Sequence, residues 1–285
     1  MSKFFIANPA SILISFDRKI LSLLMLKDPN ARITHKENWG DYFLFSLASP
    51  AMAPQAQPGQ FIMVRTAQGH HPLLRRPFSI FDADTTNIDI FFQKVGIGTR
   101  LLSKMEPGDV LDIIGPLGKG FTIEENNHGK SVALVGGGRG IAPLYFLAHK
   151  LRVRGIEAKL YYGGKCLTDL PLKNRIEGES FAVSCSTEDG SYGFNGLITE
   201  FFALEIDDLQ PAVIYACGPE AMLQKIAQTA KERNIPAELS LESMMGCGFG
   251  VCWGCVKKIQ KDDEASWTKI CEEGPVLAAD KILWE

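Results

Sequence analysis

The chain has 285 residues, 46% hydrophobic and 22% charged, enough for two or three domains with buried cores. A net charge of −3 gives no electrostatic case for nucleic acid or an anionic membrane surface as partner. Seven cysteines, four of them in the last forty residues or so, exclude a disulfide framework and suit a reducing, cytoplasmic setting.

Residues 1–30 read as an N-terminal extension. Their apolar stretch "ILISFDRKILSLLML" is interrupted by Asp17, Arg18 and Lys19, so no run is long enough to span a bilayer. The layout of a signal peptide is also missing. The segment is expected to be an arm or a helix lying on the body, with binding to a partner as an alternative role.

From 31 to 127 the chain reads as short strands with turn signals: "DYFLFSLASP", "GQFIMVR", "NIDIFFQKVG" and "PGDVLDIIGPLGKGF". These predict a small antiparallel β-barrel. Within it, "LLRRPFSI" places Arg76, Pro77, Phe78 and Ser79 in an R-x-x-S pattern. A guanidinium fork and a nearby hydroxyl suit the pyrophosphate of a flavin, and Phe78 offers a flat surface beside it. Alone, this pattern also describes a surface arginine and a strand serine. Downstream, Gly98 and Thr99 would bring backbone N–H groups and a hydroxyl to the same phosphates at a helix start.

Between 128 and 235 the period changes to alternating strand and helix, which predicts a parallel sheet covered by helices. Strands are expected in "SVALV", "EAKLYYGG", "ESFAVSCS" and "PAVIYACGP", and helices from Pro143 to Val153 and over "EAMLQKIAQTAKERN". "VGGGRGIAP" lacks the G-x-G-x-x-G fingerprint. Gly136, Gly137, Gly138 and Gly140 still permit a ligand to approach a helix N-terminus, although a tight turn alone would use glycines too. Cys217, Gly218 and Pro219 end a second strand the same way, where open sheets bind ligands. Lys165 after "YYGG" reads as a solvated loop lysine or as a partner for a 2′-phosphate.

From 236 to 285 regular patterning stops and cysteines take over. Cys247, Cys252 and Cys255 are spaced x4 and x2 among glycines, and Cys271 follows after fifteen residues. That is the ligand spacing of a plant-type [2Fe–2S] centre, in which each iron takes two thiolates. A zinc ribbon is the competing metal site, but it favours paired C-x2-C knuckles.

These pieces, in this order, resemble the ferredoxin–NADP⁺ reductase superfamily with a C-terminal iron–sulfur module. The closest likeness is to the electron-transfer subunits of NAD-dependent bacterial dihydroorotate dehydrogenases. It rests on "PLLRRPFSI", "GPLGKGF", "GGGRGIAPL", "TEDGSYGFNGLIT", "ACGPEAML", "CGFGVCWGC" and "ICEEGPVL", and covers about residues 31 to 285. The resemblance implies a barrel that binds FAD, a second domain that binds NAD(H), and a [2Fe–2S] cluster on the four cysteines. It also assigns Phe91, Phe92 and Gln93 to the flavin site. It implies a partner, the FMN-containing catalytic subunit that oxidises dihydroorotate to orotate, in a hetero-oligomer expected to be a heterotetramer. No catalytic residue for that oxidation is expected in this chain. A sister group, the small subunits of NADH-dependent ferredoxin:NADP⁺ oxidoreductases, shares the layout, but its first cluster ligand can be a carboxylate. A zinc-binding interaction module on a reductase scaffold is a third reading.

Overall fold

The computed structural model describes residues 26–67, 69, 71–124 and 129–284. The expected extension lies outside these residues as far as residue 25, and the first strand already begins at Lys27.

Six strands close into an antiparallel barrel: β1 (Lys27–Trp39), β2 (Tyr42–Ala48), β3 (Phe61–Arg65), β4 (Arg76–Ala83), β5 (Asn87–Gln93) and β6 (Val110–Leu117), in the order β1-β2-β5-β4-β3-β6. Phe45, Ile62, Val64, Ile80, Ile90 and Ile113 fill the interior without exposure. A short helix, α1 (Ile97–Leu102), joins β5 to β6. The alternation of β5 breaks at Phe91 and Phe92 because both faces of the strand are covered there. Phe92 packs into the barrel, whereas Phe91 packs with Tyr42 and Phe81 in the layer facing the second domain.

The second domain runs β7 (Ser131–Gly137), α2 (Ile141–Val153), β8 (Glu157–Gly164), α3 (Lys173–Gly178), β9 (Ala182–Thr187), β10 (Phe194–Asn195), α4 (Ile198–Leu209), β11 (Ile214–Cys217), α5 (Glu220–Glu232) and β12 (Ala237–Ser240). Its sheet order is β10-β9-β8-β7-β11-β12, all parallel. The chain reverses its direction of winding between β7 and β11. The crevice beyond the carboxyl ends of those two strands is therefore the topological switch point, where such sheets hold ligands. No helix among the described residues is long and apolar enough to cross a membrane.

Beyond Pro236 the structure is more regular than the sequence suggests. The hairpin β13 (Val256–Lys261) and β14 (Glu264–Lys269) leads through α6 (Ile270–Glu273) to β15 (Val276–Ala278). β15 adds antiparallel to β12 and makes the second domain's sheet seven-stranded. The hairpin has almost no buried face, with only Thr268 buried, so it carries no hydrophobic alternation to read.

Candidate functional site

Adjacent arginines open β4, and the fold gives them different tasks. Arg75 is fixed to β6, donating to the Asp112 carboxylate at 2.6 Å and the Asp112 carbonyl at 2.5 Å. Arg76 meets the carbonyls of Leu74, at 2.9 Å, and of its neighbour Arg75, and no acid among the described residues pairs with it. A cavity of 260 Å³ is lined by Arg76–Ser79, by Phe91, Phe92 and Gln93, and by Thr99. Gly98 packs behind Arg76: a Cβ there would stand 3.2 Å from Nε and 3.1 Å from the Thr66 hydroxyl. That hydroxyl is buried with no hydrogen-bond partner among the described residues. The Thr99 hydroxyl is committed locally, accepting from the N–H groups of Val95 and Gly96 at 2.9 and 3.0 Å. It caps its own turn instead of facing a phosphate freely.

The second cavity, 890 Å³, lies over the switch point and is lined by Gly137, Gly138, Gly140, Gly218, Pro219 and Lys165. Close approach explains two of these glycines. A Cβ on Gly140 would fall 2.1 Å from the Cys217 carbonyl, and one on Gly137 would fall 2.7 Å from Met222 Sδ. Gly138 has a φ of +52°, the left-handed conformation that favours glycine. Gly136 lies behind the turn against Ile141 and lines neither cavity. Cys217, read from sequence as part of the nucleotide turn, lines the smaller cavity instead. Burial pushes its thiol up to about 12, so it stays protonated at neutral pH. Gln93, Arg139, Gly140 and Glu242 border both cavities, which makes them one bipartite crevice. Arg139 and Glu242 were not singled out by sequence reading. Arg139 is the charged residue within "GGGRG", and Glu242 carried no local signal.

The cysteine loop connects β12 to β13. The three thiols of this loop and that of Cys271 in α6 fall into two pairs. The backbone N–H groups of Cys247 and Cys252 each point to the other's sulfur at 3.4 Å, and the Cys271 N–H points to Cys255 Sγ at 3.4 Å. Phe249 N–H reaches Cys247 Sγ at 3.5 Å, and Gly250 N–H reaches Cys271 Sγ at 3.1 Å. Gly248 and Gly250 turn the loop with φ of +87° and +84°. Burial raises the Cys247 thiol, but the backbone donors of Phe249 and Cys252 outweigh it and bring it to about 7. Four soft donors, ringed by N–H groups, fit an iron–sulfur cluster. Two thiolate pairs are what two irons need.

The loop sits on the barrel. A Cβ on Gly248 would lie 2.5 Å from Met63 Cγ, and Met63 pairs with Pro77 of β4. Lys119, just past β6, bonds Glu273 at 2.5 Å and donates its N–H to the Gly274 carbonyl at 2.5 Å. Met245 and Pro275 from this segment complete the wall of the smaller cavity.

A closed barrel, a doubly wound sheet whose switch point opens onto it, and a four-thiol loop against the barrel define a ferredoxin-reductase-like oxidoreductase with an iron–sulfur module. Residues 242–283 match the family model "Iron-sulfur cluster binding domain of dihydroorotate dehydrogenase B", and residues 134–228 match "Oxidoreductase NAD-binding domain". The dihydroorotate dehydrogenase B (NAD(+)) electron transfer subunit of Desulforamulus reducens is 35% identical over 95% of this chain and 98% of its own length. Its counterpart in Bacillus caldolyticus is 38% identical over 84% and 91%. Among solved structures, an NADH-dependent reduced ferredoxin–NADP oxidoreductase matches with a TM-score of 0.78 and 27% identity, covering 90% of this chain and 91% of that one. A ferredoxin NADP+ reductase from Neisseria gonorrhoeae shares the fold at a TM-score of 0.60 and 19% identity, covering 73% and 91%. The chain belongs to the family of dihydroorotate dehydrogenase B (NAD(+)) electron transfer subunits.

Proposed function

We propose that this chain carries electrons between NAD(H) and the catalytic subunit of a dihydroorotate dehydrogenase in pyrimidine biosynthesis. The observation that carries the reading is the continuity of three sites. The switch-point cavity shares Gln93, Arg139, Gly140 and Glu242 with the barrel cavity, and the barrel cavity shares the β3–β4 wall with the cysteine loop.

Arg76 would hold the FAD pyrophosphate, with Ser79 beside it and Phe78, Phe91 and Phe92 shaping the pocket. Gln93, Gly98 and Thr99 close that pocket by position and packing. The turn Gly137, Gly138 and Gly140, with Gly136 behind it, would admit the nicotinamide nucleotide against Gly218 and Pro219. Buried Cys217 would present a neutral thiol where the two cofactors meet. Cys247, Cys252, Cys255 and Cys271 would hold the [2Fe–2S] cluster. The flavin supplies the exchange between a two-electron hydride and single electrons, and the cluster supplies the one-electron path onward.

That path ends at an exposed apolar rim. Met244, Val251 and Trp253 around the loop are 89%, 71% and 60% exposed. The rim suits docking to an FMN-containing catalytic subunit, in a cytoplasmic heterotetramer. Residues 31–127, 128–235 and 236–285 would then be the flavin, nucleotide and cluster units.

A second reading follows from the 0.78 TM-score: the small subunit of an NADH-dependent ferredoxin:NADP⁺ oxidoreductase. Co-expression decides between them. With a flavin-containing dihydroorotate dehydrogenase, the chain is expected to form a stable complex that couples dihydroorotate oxidation to NAD⁺ reduction. Failure to assemble, together with turnover restored by ferredoxin and a larger NADPH-binding subunit, would select the second reading.

A further inference from the structure

We propose that His149 is a positioning residue that ties the strand carrying the flavin motif to the helix carrying the nucleotide turn. The proposal rests on the flavin and nicotinamide reading of the two cavities. β4 begins with Arg76–Ser79 and ends near Asp82. α2 follows the Gly138–Gly140 turn and carries His149 in its last half. Each element thus bears a cofactor motif at one end and one half of a polar contact at the other.

The contact is two-sided. His149 Nδ1 lies 2.9 Å from the Asp82 carboxylate on the barrel, and Nε2 lies 3.0 Å from the Glu179 carboxylate that follows α3. A cationic ring donates to both. A neutral ring leaves one nitrogen lone pair facing a carboxylate. Burial opposes the charge, but the two carboxylates prevail, and the ring's pKa is raised.

The surrounding groups hold Glu179 in place and set the charge around the ring. On α2 itself, Tyr145 donates to Glu179 at 2.6 Å, and Arg152 donates to the Glu179 carbonyl at 2.8 Å. From α3, Arg175 pairs with Glu37 of β1. From β5, Asp89 acts on the same barrel edge as Asp82 and Asp84, and burial raises its pKa to about 6. Phe181 stacks on the His149 ring at 5.3 Å, and Phe81 of β4 stacks on Tyr145 at 4.2 Å. Aromatic stacking and the histidine bridge together fix α2 over β4. Gly140 and Ala142, at the start of α2, line the flavin-side cavity. A tilt of the helix therefore changes the distance between the two cofactor sites.

Hydride transfer is sensitive to such distances: a 1 Å displacement can cost on the order of a hundredfold. Loosening the bridge should lower the hydride step while sparing flavin content and NADH affinity.

Two readouts test this on the full FAD-containing chain. The first is ring NMR of the histidines without NADH. His149, assigned by its loss in His149→Gln, should titrate above the ordinary histidine range, and Asp82→Asn should move it down. The second is stopped-flow reduction of the flavin by NADH from about pH 6 to about pH 9. The limiting rate should fall as pH rises through the His149 pKa. In His149→Gln it should be lower by about tenfold at low pH and flat with pH, at unchanged flavin content and NADH dissociation constant.

A ring that titrates at or below its ordinary value overturns the proposal. So does a His149→Gln rate that matches the unsubstituted protein throughout. If His149→Gln does not fold, Asp82→Asn supports both measurements. If NADH fails to reduce the flavin of the unsubstituted chain, the reading of the cavities is wrong, and the ring titration still decides the bridge.

Discussion

Gly248 of the cysteine loop lies directly on Met63 of β3, where a Cβ would fall 2.5 Å from Met63 Cγ. Met63 is fully buried and is the strand partner of Pro77, so one residue links the cysteine loop to the proposed flavin motif. Gly248→Ala must lift the loop and also strain a backbone at φ +87°, a cost of ~1–2 kcal/mol before the clash. The variant is expected to purify with much less iron per flavin, and Met63→Ala should restore part of it. Full iron content in Gly248→Ala would mean that the loop does not depend on this contact.

Cysteine substitutions should separate ligands from bystanders. Cys247→Ser and Cys271→Ser are expected to lose the cluster, because each breaks one of the two thiol pairs. Cys166, whose sulfur sits 3.1 Å from the Thr168 hydroxyl, lies far along the chain in a polar turn, and Cys166→Ser should keep the cluster. Visible absorbance and iron analysis of anaerobically purified protein measure both.

The adjacent arginines Arg75 and Arg76 should fail differently. With Arg76 as the proposed phosphate anchor, Arg76→Ala would remove a charge-assisted bond worth about 1.5–3 kcal/mol, so FAD should bind roughly ten- to a hundredfold more weakly. Arg75→Ala should lower thermal stability, because its partner Asp112 is left half-buried and unpaired. Its flavin affinity should change less. Equilibrium dialysis of FAD beside a melting curve separates the two, and a reversal of these effects would reassign the phosphate anchor.

Gly138→Val should weaken NADH binding without releasing flavin. No atom lies within 4 Å of a Cβ there, so the side chain would project into open space on a strained backbone. Flavin reduction at rising NADH concentration is expected to show a higher apparent dissociation constant. An unchanged value would remove this turn from the nucleotide site.

Strands such as β2 and β3 were legible because their apolar runs end at turn residues. β1 was not, because in "KDPNARITHKENW" only Ala31 and Ile33 are buried, and its place is set by pairing with β2 and β6. The β13–β14 ribbon was hidden for the same reason, having almost no apolar face. The cysteine spacing announced a metal loop directly, since ligand geometry is written in sequence separation. The crevice was only partly legible. Cys217 could be placed at a strand end but not in one cavity or the other, and Glu242 joins the site purely through the return of the chain after β12. His149 had no sequence signal, because its two carboxylates come from β4 and from the turn after α3.

Electrons from NADH are expected to pass through the flavin to the four cysteines within one chain. Anaerobic addition of NADH, followed by low-temperature electron paramagnetic resonance, reads that path at its end. A reduced two-iron signal of about one spin per chain should appear, with about two irons and two sulfides. Cys271→Ser should lose that signal while its flavin is still bleached. Bleaching with no such signal in the unsubstituted chain, or zinc in place of iron, would mean that the four cysteines do not carry electrons from the flavin.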